Sequence, residues 1–188
     1  EARSRFGARV SIVGDLLAVS TSWDRLAIYQ HGGSGWALLD VLQGGNPFAD
    51  GHFARTISLD RSGSPRIAVG TAGGWEFAVP QPGRVEIYEL VGGTWTVTHT
   101  IGARASSALN GLSMGSLVAL DGNRLVVSGH WQPVTRPGGD GTIADLRLEV
   151  HDLAATPTFR EELSVYDAVG GVDAHPTASM VGALDLDL

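Results

Sequence analysis

The chain has 188 residues, 43% of them hydrophobic and 18% charged, and its 26 glycines favour many short strands joined by tight turns over a disordered or helical chain. The net charge of −7 offers no basic surface for a nucleic acid, and the absence of cysteine excludes disulfides and thiolate metal ligands. No stretch approaches the ~18 apolar residues that a membrane span requires, and the first residues, EARSRFG, do not have the pattern of a signal peptide.

The first predicted unit covers about residues 5–43. Its apolar residues fall in short alternating runs, which are separated by Gly14-Asp15 and by two later stretches of turn-forming residues. Apolar alternation between turns predicts strands at roughly 7–13, 16–20, 25–30 and 36–42. We expect no helix, because no window keeps helical apolar spacing free of glycine.

Two further units, at about residues 52–102 and 113–166, repeat the pattern of the first. Phe53 matches Phe6, and the stretches YQHGGSGW and YELVGGTW have the same spacing from tyrosine to tryptophan. The third unit aligns with the first without a gap from Met114 to Ser128. In both later units the extra length falls between the second and third strands, where an insertion disturbs a sheet least.

Four-stranded units of this length in tandem are typical of β-propeller blades. We therefore predict an all-β fold in which residues 1–188 form a single propeller segment of about three blades of four antiparallel strands. Residues 179–188 supply one strand of a fourth blade. Because a closed ring needs ~4–8 blades, the remaining blades belong to a longer chain, or copies self-associate, or the propeller stays partial and open.

The stretches RFGARVSIVGDLLAVS, LAIYQHGGSGW and SMGSLVALDGNRLVVSG resemble the FG-GAP repeats of integrin α-subunit-type β-propellers and their bacterial relatives. The first unit carries the Phe6-Gly7 pair, whereas the others carry Phe53-Ala54 and Met114-Gly115. The resemblance implies a propeller of about seven blades in the full protein. It also implies an extracellular or cell-surface location and a role in protein binding, such as cell adhesion.

Many FG-GAP repeats hold calcium in an Asp-x-Asp-x-Asp-Gly loop between the first two strands of a blade. The corresponding segments here are 13–15, 60–65 and 121–123, and none of them has three carboxylates. Arg61 stands where it would repel a cation. The segment from Asp140 to Asp145 has only two carboxylates and reads as a turn. We therefore expect no metal ion and no cofactor.

In a propeller, the connections between strands two and three lie on one face, together with the connections between blades. Each unit has a tryptophan in its strand two to three connection, and such side chains anchor binding surfaces. We predict that this face binds a protein or a glycan, through Trp23, Trp75, Phe77, His130, Trp131 and Arg136. The alternative is that the tryptophans fill gaps between blades. The residues at a fixed strand position are expected to pack in the core: Trp36, Trp95 and Phe159.

Catalysis is the alternative hypothesis for the same face. The connections between blades add two histidine and aspartate pairs beside His130, namely His52 with Asp50 and His175 with Asp173. Such groups bind zinc or act as acid and base, as in a hydrolase or lyase. Because they come from three separate connections and lack the short spacing of a ligand motif, we expect a binding module without catalytic residues.

The segment from Gly111 to Gly115 matches the G-x-S-x-G motif of the esterase nucleophile elbow. That elbow requires a strand before the serine and a helix after it. Ser113 is instead predicted to open a strand, and the residues before it are typical of a loop. We therefore do not expect Ser113 to be a nucleophile.

Overall fold

The computed structural model of the chain describes residues 6–22, 25–44, 53–76, 79–102, 114–135, 142–154 and 156–164. Within these ranges, only the backbone is described for residues 22, 74–76, 79–81, 130–135, 142–146 and 164. The described residues form strands and turns, and none of them lies in a helix that is long and apolar enough to cross a membrane.

The strands form three four-stranded antiparallel sheets, one for each of the first three units. Sheet 1 contains β1 (Val10–Val13), β2 (Leu16–Ser22), β3 (Arg25–Gly32) and β4 (Gly35–Gln43). The second unit contains β5 (Thr56–Asp60), β6 (Arg66–Thr71), the hairpin strands β7 (Gly74–Glu76) and β8 (Val79–Gln81), then β9 (Arg84–Val91) and β10 (Thr94–Gly102). Sheet 2 is formed by β5, β6, β9 and β10. Sheet 3 contains β11 (Val118–Asp121), β12 (Arg124–Thr135), β13 (Thr142–Asp152) and β14 (Thr158–Ser164).

The structure confirms the prediction of an all-β fold with one four-stranded antiparallel sheet in each of the first three units. The first strand is shorter than predicted. It begins at Val10 because residues 6–9 form a turn, in which Gly7 has a φ of 77°. The strand predicted at 179–188 lies outside the described residues.

The three sheets pack face to face in chain order, and each interface has its own apolar core. We call the face of a sheet that points toward the preceding unit its front face, and the other its back face. The back face of sheet 1 meets the front face of sheet 2, and the back face of sheet 2 meets the front face of sheet 3. The first core includes Leu26, Ile28, Ile67, Val69 and Tyr88, and the second includes Ala68, Ile87, Leu120, Leu125 and Val127.

Two equivalent hydrogen bonds join the first strands of adjacent sheets. The Ser11 hydroxyl accepts from the backbone N–H of Leu59 at 3.2 Å, and the Ser58 hydroxyl accepts from the N–H of Leu120 at 3.0 Å. Ser58 occupies the position in sheet 2 that Ser11 occupies in sheet 1. The two junctions therefore have the same register, with β1, β5 and β11 side by side.

Polar contacts also join the sheets at the turns between their first and second strands. Arg61, which the sequence placed where it would repel a cation, forms an ion pair with Asp15 of the preceding turn. Arg66 donates to Asp60 at 3.0 Å and reaches forward to the next turn. There it bonds the carbonyl oxygen of Gly122 and the side chain of Asn123. These turns therefore lie next to one another at one end of the three sheets.

The core position expected for three aromatic residues is confirmed for Trp95, which is buried, and is wrong for Trp36, which is 44% exposed. Trp36 lies on the front face of sheet 1, which no other described sheet covers. Its ring contacts the ring of His31 edge-on at 5.1 Å. The core position is also wrong for Phe159, which is 37% exposed and whose ring meets the ring of His151 at 5.9 Å.

The residue after Phe6, Phe53 or Met114 adopts a positive φ in every unit: Gly7 at 77°, Ala54 at 54° and Gly115 at 74°. The surroundings of the two glycines differ. A Cβ on Gly7 would meet nothing within 4 Å, whereas one on Gly115 would lie 2.5 Å from the Arg84 carbonyl oxygen. The repeat thus requires the same turn in each unit, but only the Gly115 turn also requires a close backbone approach.

We expect Gly7→Ala to lower the free energy of unfolding by about 1 kcal/mol, because only backbone strain is added, as at Ala54. Gly115→Ala should cost about 3 kcal/mol or more, since its Cβ would overlap the backbone of sheet 2. Urea unfolding followed by tryptophan fluorescence measures both. Equal losses in the two variants would contradict the close packing at Gly115.

The carboxylate of Asp60 is held ionised by its neighbours. Burial raises its pKa, but hydrogen bonds from the Ser62 backbone, from Arg66 and from the Ser62 hydroxyl outweigh burial and keep the pKa below its usual value. This contribution to stability is therefore fully present above the unfolded-state pKa of about 4 and is lost as the pH falls through the lower folded-state pKa.

We expect Asp60→Asn to lower the free energy of unfolding by about 1–3 kcal/mol at about pH 7, and to reduce the further loss of stability on acidification to about pH 3. Urea unfolding at the two pH values measures the effect. Asp121→Asn is the matched control, because Asp121 has the same position in sheet 3 and is exposed. An unchanged pH dependence in Asp60→Asn would contradict the proposed role of the carboxylate.

Candidate binding face

The second and third strands of each sheet are joined at the end opposite the turns of Asp15 and Arg61. The connection is residues 23–24 in sheet 1, and the β7–β8 hairpin in sheet 2. In sheet 3, β12 and β13 extend as a ribbon that is paired as far as Thr135 and Thr142. Both predicted insertions therefore contain paired strands. Because the sheets pack in the same register, all three connections leave from the same end.

The backbone of the second and third units carries several residues of the predicted contact surface. Trp75 lies in β7, opposite Pro80, and Trp131 lies in β12, opposite Leu146. His130 lies in β12 where its pairing with β13 is irregular. The structure thus places Trp75 and Trp131 on the extensions of adjacent sheets. The other residues of that surface lie outside the described residues: Trp23, Phe77 and Arg136.

A buried carboxylate lies on the third strand of sheet 2, just below the hairpin. Glu86 accepts a hydrogen bond from Arg84 Nε at 2.9 Å and another from the Tyr88 hydroxyl at 3.0 Å. Burial raises the pKa of Tyr88, and the charge of Glu86 and the hydrogen bond to it raise the pKa further, so the hydroxyl remains a donor. This network fixes the beginning of β9, from which the hairpin projects.

The same position in sheet 3 also carries a buried carboxylate. Glu149 lies opposite Val127 as Glu86 lies opposite Val69. Its Oε2 is 3.1 Å from Nε2 of His151, which takes the place of Tyr88, and both side chains are buried. The third strands of sheets 2 and 3 therefore present an equivalent acidic residue to the preceding sheet.

Sheet 1 lacks this carboxylate, since Ala27 stands opposite Val19 in the equivalent position. The three strands read RLAIY, RVEIY and RLEVH, so arginine, a central variable residue and tyrosine or histidine recur with fixed spacing. Sequence reasoning aligned the tyrosines but missed the glutamates. The signal that reveals them is the comparison of these three short stretches.

The base of the β7–β8 hairpin lies against the segment that leads into sheet 3, and the close contact is made by Gly70, Gly83 and Gly115. A Cβ on Gly70 would overlap the carbonyl oxygen of Gly115, and a Cβ on Gly83 would overlap that of Met114. The Thr56 hydroxyl also donates to the Gly115 carbonyl oxygen at 3.0 Å. Main chains thus approach one another where side chains would otherwise separate them. The hairpin of sheet 2 and the start of sheet 3 are therefore fixed relative to each other.

Most of the residues named in the catalytic hypothesis lie outside the described ranges. Within the described ranges, no group of three or more His, Cys, Asp or Glu residues is arranged to hold a metal ion. The pairs at His52 and His175 lie outside those ranges, as does Ser113. The residues that follow Ser113 form a turn and then β11, whereas a nucleophile elbow requires a helix there.

Comparison of the chain with protein-family models and with curated proteins found no match. The resemblance to FG-GAP repeats therefore stays a prediction, and the fold and the geometry of this face provide the basis for a functional proposal.

We expect Tyr88→Phe to lower the free energy of unfolding by about 1–3 kcal/mol, because the buried Glu86 loses a hydrogen-bond donor. Tyr29→Phe is the matched control, since Tyr29 has the same position in a sheet where Ala27 replaces the glutamate. Its cost should stay within about 0.5 kcal/mol. Urea unfolding compares the two variants. A similar loss in both would show that the hydrogen bond to Glu86 does not stabilise the fold.

Proposed function

We propose that the chain is a segment of an FG-GAP-type β-propeller that binds a protein or a glycan at a cell surface or in a secreted protein. The contact surface is the end of the sheets that carries the strand two to three connections and the connections between units. The proposal is supported by three four-stranded sheets that pack face to face in chain order, with their first strands side by side.

One observation carries the proposal: length variation is concentrated at one end of an otherwise regular repeat. The connection is short in sheet 1, a separate hairpin in sheet 2 and a long ribbon in sheet 3. The inter-sheet hydrogen bonds of Ser11 and Ser58 are the same at both junctions. A rigid scaffold with variable connections at one end is typical of proteins that recognise ligands through those connections.

Binding is favoured over catalysis by the state of the titratable residues below this end. Glu86, Glu149 and His151 are buried and bond other side chains of their own strand. In this arrangement they support the hairpins. The tryptophans at positions 75 and 131 are the residue type that most often dominates the binding energy of such surfaces.

The test is to screen the purified chain against an oligosaccharide array and a peptide array, and then to measure the affinity for the strongest binder by calorimetry. We expect the double variant Trp75→Ala/Trp131→Ala to bind at least about 30-fold more weakly. Trp36→Ala is the matched control, because Trp36 is exposed on a sheet face away from the hairpins. The affinity of this variant for the same ligand should equal that of the wild type. Equal affinity of the double variant and the wild type would contradict the proposed surface.

A further inference from the structure

A buried hydroxyl group on sheet 2 has no hydrogen-bond partner among the described residues. Thr71 is 6% exposed, and its Oγ1 neither donates to nor accepts from another group in that part of the chain. Thr71 follows Val69 on the front face of sheet 2, so its side chain lies where the first apolar core ends, at the hairpin end. Because a buried polar group without a partner is costly, strands rarely keep one. The Thr71 hydroxyl therefore points to a ligand.

The side chain of Arg84 lies beside this hydroxyl. Thr71 of β6 pairs with Arg84 of β9, and residues directly opposite in an antiparallel ladder share one face with their Cβ atoms about 4.5–5.5 Å apart. The Nε–H of Arg84 donates to Glu86 at 2.9 Å, and neither Nη group has an acceptor among the described residues. The Arg84 side chain is 29% exposed, so solvent reaches it. Arg84 and Thr71 thus place unused N–H and O–H donors side by side.

These donors match the oxygens of a carboxylate. A guanidinium group binds a carboxylate through directional, charge-assisted hydrogen bonds, and a hydroxyl adds a further donor. Glu86 is a carboxylate on the same face, but its two oxygens already accept from Arg84 Nε and from the Tyr88 hydroxyl. Glu86 therefore orients the guanidinium and leaves the Nη groups for an anion from outside the chain.

The backbone around Thr71 and Arg84 is held by close packing. A Cβ on Gly115 would lie 2.5 Å from the carbonyl oxygen of Arg84 and 3.1 Å from the backbone nitrogen and oxygen of Thr71. The β6–β9 ladder fixes the two residues relative to each other. Donors that are already in place lose little conformational entropy when a ligand binds. The pair is therefore preorganised.

Among the three described sheets, this combination of side chains belongs to sheet 2. In sheet 3, Gly129 has the place of Thr71, and a Cβ there would lie 2.8 Å from Oε1 of Glu149. Glu149 thus fills the space that a threonine side chain would need. In sheet 1, Ala27 replaces the glutamate that orients the arginine. The repeat itself does not require the unpartnered hydroxyl, which favours a role specific to the second unit.

We propose that Thr71 and Arg84 bind a side-chain carboxylate of an acidic peptide, through the Thr71 hydroxyl and the Arg84 Nη groups. The proposal rests on the proposed function of the hairpin end and names the ligand chemistry for it. A peptide is favoured over an acidic sugar because the hydroxyl is 6% exposed. A glutamate carries its carboxylate on a narrow, flexible stem, whereas a uronic acid carries it directly on a ring.

The experiment is an NMR titration of the full chain near neutral pH, with the Arg84 Nε–H and the Thr71 amide as reporters. The probe is N-acetyl-glutamate amide, and it should shift both signals saturably with a Kd of about 1–10 mM. N-acetyl-glutamine amide, the neutral counterpart, and glucuronate, the sugar acid, should each bind at least about tenfold more weakly. The absence of a saturable shift with the glutamate probe overturns the proposal. So does binding of the glutamine probe or of glucuronate that is as tight as that of the glutamate probe.

Variants at the two positions test which atoms bind. Thr71→Val exchanges the hydroxyl for a methyl group, so it should weaken binding of the glutamate probe about tenfold and raise the midpoint of urea unfolding. Arg84→Lys keeps a positive charge beside Glu86 but removes the guanidinium, and it should also weaken binding about tenfold. Thr94→Val is the matched control, because Thr94 is exposed at the opposite end of sheet 2. Its affinity and midpoint should equal those of the wild type. A Thr71→Val variant with unchanged affinity would show that the hydroxyl does not contact the ligand.

Failure of this proposal and failure of the proposed function give different results. If the arrays return a ligand that depends on Trp75 and Trp131, but the glutamate probe leaves the two reporter signals unchanged, the binding face is correct and the carboxylate site is wrong. If the glutamate probe binds at Arg84 and neither array returns a ligand, the carboxylate site is correct and the proposed function is wrong.

Discussion

The constraint on which this structure depends is that a sheet with two apolar faces must have a neighbour on each side. Sheet 2 meets this condition within the chain, because Ile67 and Val69 face sheet 1 while Ala68 and Ile87 face sheet 3. Burial of these faces provides the main free energy of folding, and the register of the sheets decides which side chains meet. The turns, the edge hydrogen bonds and the buried carboxylates all serve to maintain that register.

The repeat keeps some contacts and replaces others, and the replacements lie on the two faces that no other described sheet covers. The serine at the junctions is Ser11 and Ser58 in sheets 1 and 2, but Ala119 in sheet 3. The third-strand carboxylate is Glu86 and Glu149 in sheets 2 and 3, but Ala27 in sheet 1. The junction serine and the third-strand glutamate are thus present on the sheet faces that pack against another described sheet.

The sequence predicts the strands and the repeat well, because apolar alternation and turn residues are local properties. It does not predict the exposure of Trp36, since a fixed repeat position does not reveal whether a neighbouring sheet covers it. Strand pairing in the insertions was missed because TAGGWEFAVPQPG has the glycines and prolines of a loop. Glu86 was missed because a charged residue in an alternating strand usually faces solvent, and its donors Arg84 and Tyr88 become evident only from the geometry.

The central position of sheet 2 also determines how the fold opens. In a linear array, each unit is stabilised by its nearest neighbours, and local opening starts at units that have fewer of them. Sheet 2 has a described neighbour on both faces, whereas sheets 1 and 3 each expose apolar surface on one. The amide protons of β6 and β9 should therefore exchange with solvent last. If sheet 1 opens first, Phe53 and Tyr88 of sheet 2 lose the apolar side chains against which they pack. Unfolding then spreads from the outer sheets to sheet 2.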